Sequence, residues 1–282
     1  MTYCLAIRVD EGLVFAADTR TNAGVDYVTS YRKLHVFQPA DDRVFVLLAA
    51  GSLATTRELL DRIERDLQDP TSEESLRSAR YLFEGADYIG RLSRGIQDKH
   101  AAALAQTGVS GEVTLILGGQ IRGQAPEILL IYPQGNYIGA SDETPYLQIG
   151  ETKYGKPVLD RIVDRGLSLQ DAARLALVSL DATVRSNITV GLPFDFATYP
   201  NDTFRLPSQV RIEADTPYYQ ELRQAWQQGF NEMFARLEPF PLSGAITRPQ
   251  ALSGHVTLVD STGAAQGGGG SPPDGSLSTG SG

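Results

Sequence analysis

The sequence predicts an α+β fold, a four-layer αββα sandwich of antiparallel sheets. Three observations lead to it. The first fifty residues are short apolar runs divided by turn signals, the pattern of antiparallel strands rather than of a βαβ unit. Helical periods then come in pairs between later strand runs, as expected for helices laid on two stacked sheets. Finally, 282 residues with 41% hydrophobic content are enough chain to bury a full core.

In chain order, Thr2 to Val9 and Leu13 to Ala17 are apolar runs around the turn Asp10-Glu11-Gly12, which reads as a β-hairpin. Asn22 to Asp26 reads as a loop. Arg43 to Ala50 is apolar throughout, as suits a strand buried on both faces. The period then becomes helical. Leu53, Leu60, Ile63 and Leu67 mark a helix that ends at Asp69-Pro70, because the residue before proline disfavours α geometry. A longer helix is expected from about Ser75 to about Ala105, with Leu76, Ala79, Phe83, Ala86, Ile89, Leu92 and Ile96 on one side. Strands return at Glu112 to Gly118, Glu127 to Tyr132, Gly135 to Ile138 and Pro145 to Ile149. Two helices follow, at about Thr152 to Arg165 and from Ser168 onward, the second with Ser168 as N-cap and Asp171 three residues on. Ile188 to Leu192 and Ser208 to Ile212 read as closing strands. Thr216-Pro217 starts the last helix, proline falling in its first turn. Its stripe of Tyr219, Leu222, Trp226, Phe230, Met233 and Leu237 suits a core or a subunit interface.

Residues 1–242 are therefore expected to form one domain. Residues 243–282, rich in proline, glycine and serine, are expected to be a largely disordered tail. His255 to Val259 is one short β-like island within it.

Composition excludes several function classes. The formal net charge of -9 argues against a nucleic-acid or anionic-membrane partner. No apolar run reaches the ~18 residues of a spanning helix, and no secretory signal opens the chain. The lone Cys4 can make no internal disulfide, and His35, His100 and His255 are too scattered for a zinc cluster. What is left is a soluble, acidic protein expected in the cytoplasm. Asp61 with Arg65 and Arg62 with Asp66 read as i,i+4 ion pairs on an exposed helix face.

The unusual chemistry lies at the start. Removal of Met1 would leave Thr2 with a free α-amine beside a β-hydroxyl, nucleophile and base on one residue. The reference pKa of an α-amine is ~7.7–8.0, and a neighbouring cation lowers it. Threonine after an initiator is common, so context decides. Asp18 ends the second strand, and Lys33 opens the segment after the loop. Lysine is scarce here, with Lys33, Lys99, Lys153 and Lys156 against many arginines. Gly51 ends the third apolar run where a helix starts, and a backbone N–H at such a junction can stabilise an oxyanion. Cys4 lies two residues into a buried strand and reads as a small hydrophobe.

Thr2, the stretch from Gly12 to Arg20, Tyr31-Arg32-Lys33 and Ala50-Gly51-Ser52-Leu53-Ala54 together resemble the β-type subunits of proteasomes, which are N-terminal-nucleophile hydrolases. The opening is closer still to their bacterial homologues, the Anbu family, and the resemblance spans about residues 2 to 237. It implies Thr2 as nucleophile with its own amine as base through a water, Lys33 as the cation beside that amine, Asp18 as the holder of Lys33, and the Gly51 N–H as oxyanion donor. It implies cleavage of a peptide or other amide substrate without metal or organic cofactor, maturation by loss of Met1 alone, and self-assembly into a homo-oligomeric ring or lock-washer. The chain departs from the pattern of active proteasome subunits at two places. Gly150-Glu151-Thr152 stands where they carry a Ser-Gly pair. Thr183 to Asn187 stands for their Asp-x-x-Ser-Gly element and ends more like HslV, a simpler bacterial relative. Asp181 and Ser186 are the supporting candidates there. These departures keep two alternatives open, a self-assembling scaffold without catalysis and a small-molecule amidase.

Overall fold

The computed structural model describes residues 1–22 and 28–240. The predicted loop beyond Asn22 and the predicted tail with its His255 to Val259 island lie outside the described residues. The compact unit is Met1–Arg236.

Two five-stranded sheets carry the fold. The first contains β1 (Tyr3–Val9), β2 (Gly12–Asp18), β10 (Tyr146–Gly150), β11 (Phe194–Pro200) and β12 (Ser208–Ile212), in the order β10-β1-β2-β11-β12. The second contains β5 (Leu34–Ala40), β6 (Arg43–Gly51), β7 (Val113–Ile121), β8 (Glu127–Ile131) and β9 (Tyr137–Gly139), in chain order. The short strands β3 (Arg20–Asn22) and β4 (Val28–Ser30) pair with each other. All pairings are antiparallel. Helices α1 (Leu53–Gln68) and α2 (Leu82–Thr107) cover one sheet. Helices α3 (Lys156–Ile162), α4 (Leu169–Ser186) and α5 (Pro217–Ala235) belong with the other.

Strand alternation builds three cores from one sequence pattern. Successive strand side chains point to opposite faces. On β1, Tyr3, Leu5, Ile7 and Val9 face the helices, whereas Cys4 and Ala6 face the second sheet. On β6, Phe45, Leu47 and Ala49 pack on α1 and α2, and Val44, Val46, Leu48 and Ala50 fill the space between the sheets. The result is the αββα sandwich.

Some elements differ from the sequence expectation. The segment from Ser75 to Arg80 is turns, and α2 starts only at Leu82. Serine hydroxyls there hold the backbone locally: Ser78 Oγ accepts from Ser75 N, and Ser75 Oγ accepts from Arg77 N. Leu76 and Ala79 are buried all the same, while Phe83 is exposed. Helix α3 is shorter than Thr152 to Arg165 and starts at Lys156. β5 lies where the sequence pattern predicts no strand; its sequence carries His35 and Pro39, and its register breaks between Phe37 and Ala40. Ile188 to Leu192 is not a strand, and β11 follows it instead. On α1 the ion pairs are Arg57–Asp61, Arg62–Glu58 and Arg65–Asp66, not Asp61–Arg65 and Arg62–Asp66. The last stripe is not core beyond its start. Tyr219 is buried, but Phe230 and Met233 are exposed.

Candidate functional site

Four strand ends meet at one edge of the sandwich: the start of β1, the end of β2, the start of β5 and the end of β6. Antiparallel pairing puts them there, since one strand begins where its neighbour stops. Thr2 precedes β1, Asp18 ends β2, Lys33 precedes β5, and Gly51 ends β6.

Asp18 is the hub. Its Oδ1 accepts from the Tyr3 backbone N–H at 2.9 Å and from Lys33 Nζ at 2.6 Å, and its Oδ2 accepts from the Gly191 N–H at 3.2 Å. Lys33 Nζ also donates to the Arg20 carbonyl at 2.7 Å. Asp18 is 0% and Lys33 3% exposed. A buried pair of this kind needs such extra hydrogen bonds to offset the loss of water. Burial outweighs Lys33 and these donors, so the Asp18 carboxyl is held above its usual pKa. The alternative pairing of Asp18 with Arg20 or Arg32 is not what forms: Arg32 lies by Asp195 at 3.8 Å.

Thr2, Lys33, Ala49, Gly51 and Leu53 share the wall of one cavity of about 10 Å³, the space of about one water. Gly51 and Gly150 also line a neighbouring cleft of about 470 Å³. Gly51 adopts φ +123°, and a Cβ there would lie 2.2 Å from the Glu112 carbonyl oxygen. Glycine is therefore required where β6 turns into α1. The Met1 amine, one residue before Thr2, has a pKa below its usual value. Burial is the main cause, the Lys33 charge adds to it, and Asp18 and Glu151 oppose it. Cys4 is fully buried. Burial pushes its thiol pKa well up, as befits an inert core residue.

The other two candidates lie elsewhere. Asp181 on α4 accepts from Tyr219 Oη of α5 at 2.8 Å and is paired with Arg185 and Arg223 at 2.9 and 3.0 Å. These contacts tie α5 to α4. Ser186 is exposed at the end of α4.

Two further groups, neither among the candidate site residues, reach this region. Gly191 sits in the segment expected to be a strand, and nothing in that apolar run signals that its N–H serves Asp18. Glu151 had a signal, an acid at one of the two places where the chain departs from the pattern that the resemblance implies. Its N–H donates to the Thr2 carbonyl at 2.7 Å, and the residue is 4% exposed. Among the described residues no group of His, Cys, Asp and Glu is arranged to hold a metal ion, and no helix is long and apolar enough to cross a membrane.

Comparison with known proteins agrees with this geometry. The proteasome subunit family matches residues 2–198, so sandwich and edge cluster define a proteasome-type subunit. Three solved structures narrow the class. Anbu (ancestral beta-subunit) from Yersinia bercovieri is 41% identical with a TM-score of 0.80, over 86% of this chain and 100% of that one. Anbu from Hyphomicrobium sp. strain MC1 is 41% identical with a TM-score of 0.76, over 84% and 99%. The helical assembly of the Anbu complex from Pseudomonas aeruginosa contains a chain 37% identical with a TM-score of 0.81, over 85% and 98%. No curated protein matches. The chain belongs to the Anbu family of proteasome-type subunits.

Proposed function

We propose that the chain, once Met1 is removed, is a threonine-type N-terminal-nucleophile hydrolase that cleaves peptide or other amide bonds. One observation carries the reading: Lys33, buried and paired with Asp18, lines the same small cavity as Thr2 and Gly51. Loss of Met1 moves the terminal amine onto Thr2. Lys33 then disfavours its protonated form, leaving a neutral amine near pH 7. That amine takes the proton of Thr2 Oγ through a water while Oγ bonds the substrate carbonyl carbon. The Gly51 N–H supports the oxyanion. As the tetrahedral intermediate collapses, the leaving amine receives the proton and an acyl-ester remains on Thr2. Water then hydrolyses the ester. Asp18 holds Lys33 in place, and no metal or organic cofactor enters.

The test uses assembled protein whose loss of Met1 is verified by mass spectrometry. Treatment with an epoxyketone or a β-lactone is expected to label Thr2 covalently, and Thr2→Ala to abolish labelling. Processed, assembled protein that forms no adduct would overturn the reading. A non-catalytic scaffold is the second reading, favoured by the engagement of Asp181 with α5. It predicts a cellular role that survives Thr2→Ala. A small-molecule amidase is separated from a peptidase by product analysis on acyl-amide and peptide libraries.

A further inference from the structure

We propose that Glu151 is a positioning residue for the reaction, its carboxylate holding the α-ammonium of Thr2 that forms when the amine accepts the hydroxyl proton. This rests on the reading of Thr2 as nucleophile and gives a role to a buried acid which that reading leaves idle.

The backbone presses Glu151 against the chain's start. β10 pairs with β1 so that Gly150 lies opposite Tyr3. Gly150, at φ +84°, passes so near that a Cβ would stand 2.0 Å from the Thr2 carbonyl oxygen. The next N–H, that of Glu151, donates to this same oxygen. The Glu151 side chain is held by a second segment. Its Oε2 accepts from Asn187 Nδ2 at 2.9 Å. Asn187 is itself fixed, since its Oδ1 accepts from Thr189 N at 3.0 Å and Thr189 Oγ1 at 2.6 Å. Oε1 meets the exposed Lys153 ammonium at 3.9 Å, beyond hydrogen-bond range. A buried carboxylate with one neutral amide donor retains acceptor capacity and calls for a cation.

The charges felt by the Met1 amine, one residue before Thr2, are Lys33 before β5, Asp18 at the end of β2 and Glu151 after β10. Asp18 is already engaged by Lys33, Tyr3 N–H and Gly191 N–H. Glu151 is the carboxylate with capacity to spare. In the attack step the Oγ–H bond breaks, Oγ bonds carbon, and the proton passes through water to the amine. Glu151 takes no proton; it accepts a hydrogen bond from the new ammonium.

The test is Glu151→Gln, isosteric and uncharged, in protein freed of Met1. Removing the negative charge disfavours the ammonium, so the amine pKa falls. The acid limb of β-lactone labelling against pH is expected to move down by about one unit, with a lower plateau at high pH. Glu151→Asp, which keeps the charge but draws it back, is expected to shift the limb the same way by less. It serves if Glu151→Gln does not assemble. A second readout needs no catalysis: the pH dependence of acylation of the terminal amine by an anhydride, read on the N-terminal peptide. An acid limb and an acylation profile identical to the parent's in the variants would overturn the proposal. Acylation shifts without any lactone adduct in the parent would instead retain Glu151's role and discard the nucleophile.

Discussion

At the scale of single residues, the Lys33–Asp18 contact is the decisive one. Both groups are buried, and removing one partner of a buried pair costs about 3–5 kcal/mol because the other is left uncompensated. Lys33→Met is therefore expected to abolish labelling of Thr2 and to destabilise the fold. Its pH dependence has a definite sign. Burial already holds the Asp18 carboxyl above its usual pKa, and loss of the cation raises it further. A group with a raised folded-state pKa contributes stability that is full below the unfolded pKa and is lost as pH rises through the folded one. The gap between variant and parent in urea melts should thus be wider at pH 8 than at pH 5. Equal gaps at both would show that the stranded carboxylate is not the origin of the loss. This cluster was legible in the sequence because residue types at strand ends and a family resemblance agreed. Gly191 was not, and Glu151 showed only as a departure from the family pattern, since their contacts come from chain segments that meet only in the folded molecule.

At the scale of elements, period and burial decide what can be read. β1, β2, β6 and β7 alternate between two buried faces, and helix α4 has its Ser168 cap, whose Oγ accepts from Asp171 N at 3.0 Å. All of these are legible. The run Ile188 to Leu192 is apolar like a strand, yet its backbone is committed elsewhere. The Gly191 N–H serves Asp18, and the Ile188 carbonyl accepts from Arg20 at 2.7 Å. Tertiary bonding overrides local pattern there. Asp181 shows the same limit for function. The sequence makes it a supporting candidate for the site, and the contacts it forms join α4 to α5. Asp181→Asn is expected to lower stability by about 1–2 kcal/mol through weakened charged hydrogen bonds, with Thr2 labelling changed less than twofold. A hundredfold loss of labelling with unchanged melting would return Asp181 to the reactive cluster.

At the scale of the whole molecule, helix α5 carries apolar side chains that the other described residues leave uncovered. Its first turn is anchored by buried Tyr219, which packs edge-on to Phe194 with ring centroids 5.7 Å apart. Further along, Phe230, Met233 and Phe234 are 46%, 56% and 76% exposed. Between α4 and α5 lies a groove of about 580 Å³ lined by Leu175, Val178, Leu222 and Trp226. Exposed apolar surface of this extent on one element marks an interface. A second copy of this chain is expected to cover that surface. In an isolated chain Phe234→Asp replaces one exposed side chain by another and should change stability within about 0.5 kcal/mol. In an assembly it would place a charge against apolar surface, at a cost that grows with burial. Light scattering is therefore expected to show smaller species for Phe234→Asp, with far-UV circular dichroism and melting of the dissociated chain unchanged. The same change in Phe230 should act in the same direction. An undiminished particle size in the double variant Phe230→Asp, Phe234→Asp would mean that α5 does not hold the assembly together, and the exposed stripe would then need a different partner.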